Sequence, residues 1–480
     1  MKYPLSLADR FFDKKQLFLL AGLCILSAWL IHLYGMVSGL VILMLPVAIV
    51  FVIATYQRPI VGLYALFFLS FFLNIISRYF VKDLFPTGIL VDALIAYIYV
   101  ILLFKSLSEK IEWKKAGDAP VFVFFIWLLY CFTSLFNPEC PGFSSFLIGV
   151  RPFLYMVLTV PLFCMLLNAK SLKIFVICWG IFSILLTIKG FIQLNIGLDT
   201  VEQSLIAGRL KNTHLLWGKL RVFSFLSDAG QFGASQAHAG LVGAILFLGA
   251  KSLKERLFYL IVCIAGIYGM FISGTRTAMF VLLGGGLTYL LLVRNAKLWL
   301  LVLLCGGTFF YAMKFTYVGH SNYEIRRMRS AFNPDKDASY QVRKANQARF
   351  RDYLSSRPFG GGIGSIAAGT PGTFLGETPP DSGYVTIWGQ QGIVGLVMFL
   401  AMIVYFLTKG AWQVWFNIKN DWLRTVLIAL IAGIGGMAVA NYGNPVMLQH
   451  PTSLVMFLSI ALIFCASRID GEMDQSLSEK

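Results

Sequence analysis

The feature that most constrains this chain is a run of apolar stretches, each about 20 residues long, that recur along almost its whole length. A helix crossing the hydrocarbon of a bilayer needs roughly 20 mostly apolar residues. It must also bond every backbone N–H and C=O within itself, because no water is present to do so. A soluble fold is excluded by the balance: 58% of the residues are hydrophobic and only 13% charged, where a soluble domain has about a quarter charged. The expected fold class is therefore all-α: a polytopic membrane helical bundle of about fourteen spans with one large external helical loop.

Spans are expected near 17–35, 37–55, 59–77, 88–104, 120–136, 152–168, 172–195, 230–250, 257–273, 277–293, 298–314, 383–408, 424–441 and 452–467. The N-terminal MKYPLSLADRFFDKKQ leads into the first apolar run without an A-x-A site, which reads as an uncleaved first span. Eight cysteines are present, and only Cys140 falls in a loop; with no CxxC pair they read as small apolar packing residues.

Basic loop ends orient the chain, because cytoplasmic loops retain Lys and Arg. With the N-terminus inside, the basic groups at Arg58, at Lys105 to Lys115, at Lys170 and Lys173, at Lys251 to Arg256, at Arg294 and Lys297, and at Lys409 and Lys419 all fall inside, as does the C-terminal tail. The outer side then holds 78–87, 137–151, 196–229, 274–276, 315–382 and 442–451. The net charge of +17 is distributed unevenly by type. The inside carries 15 Lys and 6 Arg; the remainder carries 7 Lys and 12 Arg. Insertion treats the two residues alike, so it does not explain this bias. Arginine is the better two-pronged donor to phosphate. A nucleic-acid partner does not fit such hydropathy, which leaves anionic lipid or an anionic substrate.

The 315–382 loop is too long to be a simple connection. Its segment DASYQVRKANQARFRDYLSSRP reads as a helix, capped at Asp337 or Ser339 and closed before Pro358. Arg221, in GKLRVFSFLSDAGQFGASQ, precedes the eighth span, and Arg276, in SGTRTAMF, opens the tenth on the same side. A cation at membrane depth faces a cavity or partner, or else snorkels to the interface; both readings stand for each residue. The glycine-rich FGGGIGS turn at 359–365 lacks the Lys-Ser/Thr of a nucleotide loop; loop flexibility and backbone donors to phosphate are its two functional readings. Asp335 and Asp337 spell D-x-D, a metal-holding pattern in some transferases, but two aspartates before a helix read first as caps.

These residues resemble the O-antigen ligase and O-antigen polymerase superfamily of bacterial membrane glycosyltransferases, most strongly over about 200–410. Three patterns carry the resemblance: Arg221 before a polar segment that opens a middle span; Ser273 and Arg276 at the start of a later one; and RPFGGGIGS at 357–365 followed by DSGYVTIWGQQGIVGLVMF at 381–399. Tyr384, Gln390, Gly392 and Gly395 fall at the family's spacing, while Asp381 stands where the ligases typically place a His.

The resemblance implies three regions: 1–196 and 411–480 as flanking transmembrane helices, and 197–410 as the catalytic region with the external loop. It implies transfer of a glycan from an undecaprenyl-diphosphate carrier to a glycan acceptor, at the outer face of the bacterial inner membrane, by a protein with both termini cytoplasmic. Membrane lipid is its surroundings, and no cofactor or metal is expected. Arg221 and Arg276 are expected to stabilise the departing diphosphate and Asp381 to take the acceptor proton, although an N-cap role for Asp381 is the alternative. Arg343, Arg349 and Arg357 of the loop, Tyr384 and His450 are the expected substrate contacts. Asp in place of His tilts the reading toward polymerase; a ligase acting on a lipid A core or a protein is the alternative within the class. A lipid-linked oligosaccharide transporter is the alternative outside it, and would put its polar groups on broken helices near the midplane.

Overall fold

The computed structural model describes residues 22, 29, 32, 36–81, 86–208, 214–216, 218–321, 323–332, 338–366 and 374–478. The first expected span and the D-x-D at Asp335 and Asp337 lie outside the described residues, apart from isolated positions of that span.

The chain packs as two units. One comprises Met1–Gly62 with Ile98–Lys110, the other Leu63–Tyr97 with Ile111–Lys480. The helices, in order, are α1 (Met36–Gln57), α2 (Ile60–Ile75, continued by a π-turn at Ile76–Val81), α3 (Gly88–Ser108), α4 (Asp118–Thr133), α5 (Phe143–Leu166), α6 (Ala169–Asn195), α7 (Thr200–Ala207), α8 (Ala229–Gly249), α9 (Leu253–Ile272), α10 (Met279–Leu292), α11 (Ala296–Phe315), α12 (Tyr323–Arg329), α13 (Ala338–Leu354), α14 (Phe374–Glu377), α15 (Gly383–Trp412), α16 (Asp421–Ala440) and α17 (Thr452–Ser478). Two strands, β1 (Leu215–Leu216) and β2 (Lys219–Leu220), form a minimal antiparallel hairpin. Among the described residues, eleven helices are long and apolar enough to cross a membrane, and two shorter apolar ones, Met44–Gln57 and Arg276–Leu292, accompany them. The protein is a multi-pass, all-α membrane protein.

The spans match the sequence reading closely, with one consequential shift. The sixth, expected at 152–168, begins at Phe143. Arg151 is therefore inside α5 rather than in the preceding loop.

In the second unit, α8, α16 and α17 are the most buried spans and α11 the least. Close packing of α8 on α9 depends on small residues, as is usual between membrane helices. A side chain on Gly266 would meet the backbone of Gln236 and Gly240 at 2.6 Å. All the loop-borne chemistry of this unit collects at one end. There α6, α9, α11 and α16 finish, and α8, α10, α15 and α17 begin.

The glycine-rich turn has neither of the roles expected for it. Gly360 to Ser365 are buried against α15 and the α4–α5 connection. α15 is broken at Gly392 (φ 67°), and the Pro358 carbonyl fills the place a Cβ would take there. Gly361 N–H donates to the Gly389 carbonyl (2.9 Å), Asn137 Nδ2 to the Gly360 carbonyl (2.9 Å) and Ile363 N–H to Ser134 Oγ (2.5 Å). The turn is a wedge that anchors the large loop to the bundle.

Candidate functional site

Three separate backbone devices aim the basic groups at one place. The β1–β2 hairpin delivers Arg221, whose N–H donates to the His214 carbonyl (2.8 Å) and whose Nη2 donates to Thr275 Oγ1 (3.3 Å). The turn between α9 and α10 delivers Arg276. It reverses at Gly274 (φ 58°) and is pinned over the start of α8 by Thr275 Oγ1, which donates to the Ala229 carbonyl (2.8 Å). Arg276 Nη1 donates to Ser330 Oγ (2.9 Å), tying this turn to the large loop. That loop supplies Arg327 from α12 and Arg343 from α13.

The four arginines line one pocket of about 710 Å³, within the range of small-molecule sites. Asp381, Tyr384 and Asn444 share its wall, and Phe280 and Val439 give it an apolar side. Arg343 Nη1 lies 3.6 Å from where a Gly443 side chain would begin. Burial pushes the Arg221 guanidinium down to about 10, and nearby Arg327, Arg276 and Arg343 push the same way, with Asp228 opposing. Like charges gathered at a half-buried place cost free energy unless an anion joins them. The pocket is therefore matched to a ligand with more than one negative charge.

Asp381 is not the helix cap. Ser382 is, its side chain accepting from Val385 N–H (3.5 Å). Asp381 has positive φ (52°), a conformation Asp tolerates better than most residues, and Asn346 Nδ2 donates to its Oδ2 (3.3 Å). This geometry turns the carboxylate toward the pocket. Tyr384 lines the pocket with its ring while its hydroxyl donates to the Ala438 carbonyl (2.6 Å).

The structure does not bring three expected contacts to this pocket. Arg349 is exposed on α13. Arg357 lies over the Tyr353 ring (4.1 Å) and pairs with Glu139 (2.6 Å), where it helps to hold the wedge. His450 lies in a different recess, described below. Lys189, near the end of α6, pairs with Asp199 (3.1 Å) and Glu202 (3.0 Å). Arg327 is the residue that sequence reasoning missed. Its signal is the RRMR run at 326–329, within which roles divide. Arg329 is buried and donates to the carbonyls of Thr316 and Val318, while Arg327 faces the pocket. Among the described residues, no three His, Cys, Asp or Glu side chains gather as a metal site.

Fold and site together define a multi-pass membrane protein with an arginine-lined pocket at the end of its bundle where the large loop docks. Residues 260–400 match the family model described as O-antigen ligase. The match supports the O-antigen ligase and polymerase superfamily, and with it a membrane glycosyltransferase of ligase or polymerase type. It covers Arg276, Arg327, Arg343, Asp381 and Tyr384, while Arg221 and the 438–444 wall of the same pocket lie outside it. No curated protein matches the chain.

Proposed function

We propose that the protein transfers a glycan from an undecaprenyl-diphosphate carrier to a glycan hydroxyl at the outer face of a bacterial inner membrane, as a polymerase of lipid-linked repeat units. The observation that carries this reading is the convergence of Arg221, Arg276, Arg327 and Arg343 on one pocket that also holds a carboxylate and an apolar side. A lipid diphosphate has the complementary parts: an anionic head for the guanidiniums and a hydrocarbon chain for the side formed by Phe280 and Val439.

In the reaction, the acceptor oxygen forms the new glycosidic bond as the bond from sugar carbon to diphosphate oxygen breaks. The electron pair leaves with the diphosphate. The arginines stabilise the charge that accumulates there, and Asp381 receives the acceptor proton. Arginine keeps its positive charge at neutral pH. A transporter reading gains less from this arrangement, because the pocket draws on the external loop as well as the spans.

Deleting the gene and resolving the cell-surface glycans on a gel tests the proposal. Loss of the ladder with single repeats retained supports polymerase. Polymer accumulating on the carrier would replace it with ligase, and an unchanged ladder would sink both.

A further inference from the structure

A second recess of about 420 Å³ opens at the same end of the second unit. Asn74, Arg151, Tyr155, Asp228 and His450 contribute its polar wall. Unlike the arginine pocket, it has a balanced lining, with one arginine and one carboxylate. Arg151 Nη2 is held by Asp92 Oδ2 (2.5 Å), whose other oxygen accepts from the Tyr155 hydroxyl (2.5 Å). Asp228 adds a further carboxylate. With its one arginine already paired, the recess is poorly suited to a phosphate. It does offer hydrogen-bond donors, a carboxylate acceptor and an aromatic ring, the set that a neutral polyhydroxylated ligand uses.

His450 adds unused hydrogen-bonding capacity to the wall of the recess. Its ring is embedded beside Tyr155 (5.2 Å between centroids), with Ser70 Oγ (3.2 Å) and Ser453 Oγ (3.4 Å) on Nδ1. Its Nε2 is buried and has no partner among the described residues, and neither has Nε of Arg151. Buried polar atoms are nearly always paired, so such exceptions call for an explanation. Burial next to Arg151 pushes the imidazole down to about 4, so at neutral pH it is an uncharged donor and acceptor.

The two pockets share a partition. Asp228 caps α8, its Oδ1 accepting from Gln231 N–H (3.0 Å), and Gln231 Nε2 in turn donates to the Gln449 carbonyl (3.2 Å) and Thr452 Oγ1 (2.6 Å). Asp228 Oδ1 and Nδ2 of Asn444 lie 2.9 and 2.6 Å from the point where a Gly230 side chain would begin. Asn444 lines the arginine pocket, and Asp228 lines the recess. A ligand in the recess is thus next to the place proposed for the diphosphate.

We infer that this recess is the acceptor-sugar subsite, in which Asp228, Arg151 and His450 bind the hydroxyls of a neutral sugar and point one of them past Asn444 into the arginine pocket. The inference rests on the glycosyltransferase reading. Its test uses two probes on purified protein: undecaprenyl diphosphate, followed by native mass spectrometry, and the repeat-unit oligosaccharide released by mild acid from the host's own carrier, followed by saturation-transfer NMR. Asp228→Asn keeps the helix cap, and Ser227→Trp fills the recess from its exposed rim. Both are expected to weaken oligosaccharide binding at least tenfold, and Ser227→Trp, which removes no charge, to change carrier binding less than twofold, while Arg276→Ala does the reverse. Oligosaccharide binding that survives both recess variants, or that is absent in the wild type, would overturn the subsite. Failure of the carrier to bind the wild type would instead count against the glycosyltransferase reading, and the oligosaccharide measurements would still judge the recess.

Discussion

At the scale of single residues, the pocket assigns distinct duties that substitution can separate. Asp381→Asn keeps both the size and the tolerance for positive φ, and the helix cap is untouched because Ser382 provides it. If the carboxylate takes the acceptor proton, single-turnover transfer falls by about 10²–10⁴ while carrier binding persists. Near-normal transfer would remove Asp381 from the chemistry. The arginines differ from it in kind. Arg327→Ala removes a guanidinium from the pocket and is expected to lower transfer about 10²-fold, on the scale of a lost transition-state donor. Arg221→Lys keeps charge but loses the planar fork, so it should fall between wild type and Arg221→Ala. Equal turnover across that series, at equal protein level, would mean that neither residue touches the diphosphate.

At the scale of elements, the loop is positioned by the break in α15 together with its own helix, whose Phe350 and Leu354 pack in one buried cluster with Val385 of α15. Gly392 has a backbone conformation that side chains rarely adopt, and its missing Cβ admits the Pro358 carbonyl. Gly392→Ala must either straighten α15 or expel the 358–365 wedge. The strain alone is of the order of 1–3 kcal/mol. A lowered melting temperature in detergent, with loop residues becoming sensitive to protease, is the expected result. A variant that melts with the wild type would show that the wedge does not anchor the loop. The neighbouring Arg357–Glu139 pair and Tyr353 ring belong to the same anchor, which is why an arginine expected to hold substrate is occupied elsewhere.

At the scale of the whole molecule, the proposal depends on which side of the membrane the pocket occupies. In intact cells, an impermeant thiol reagent is expected to modify S355C on the external loop and to spare K110C. Labelling of K110C would reverse the orientation and remove the pocket from the side on which lipid-linked glycans are proposed to be used.

How much of this was legible beforehand follows from the physics of each signal. The spans were, because hydrocarbon imposes a length and composition that no other solvent does. Arg221, Arg276 and Asp381 were also legible as candidates, since they stand at the motif positions that carry the resemblance to the O-antigen ligase and polymerase superfamily. The α13 helix was readable from its flanking Pro358. Which arginines of a basic loop share a pocket was not readable. Arg327 and Arg329 are two residues apart in one sequence run, and one lines the pocket while the other is spent on backbone carbonyls. His450 and Arg151 were separated from the pocket, and joined to Asp228, only by how α5, α8 and α17 pack. The sequence by itself determined a multi-pass helical bundle with a basic loop, because burial in lipid is decided segment by segment. Only the tertiary structure decided which side chains meet, because convergence of groups hundreds of residues apart depends on helix packing and on a broken helix at Gly392, and neither leaves a periodic trace in the chain.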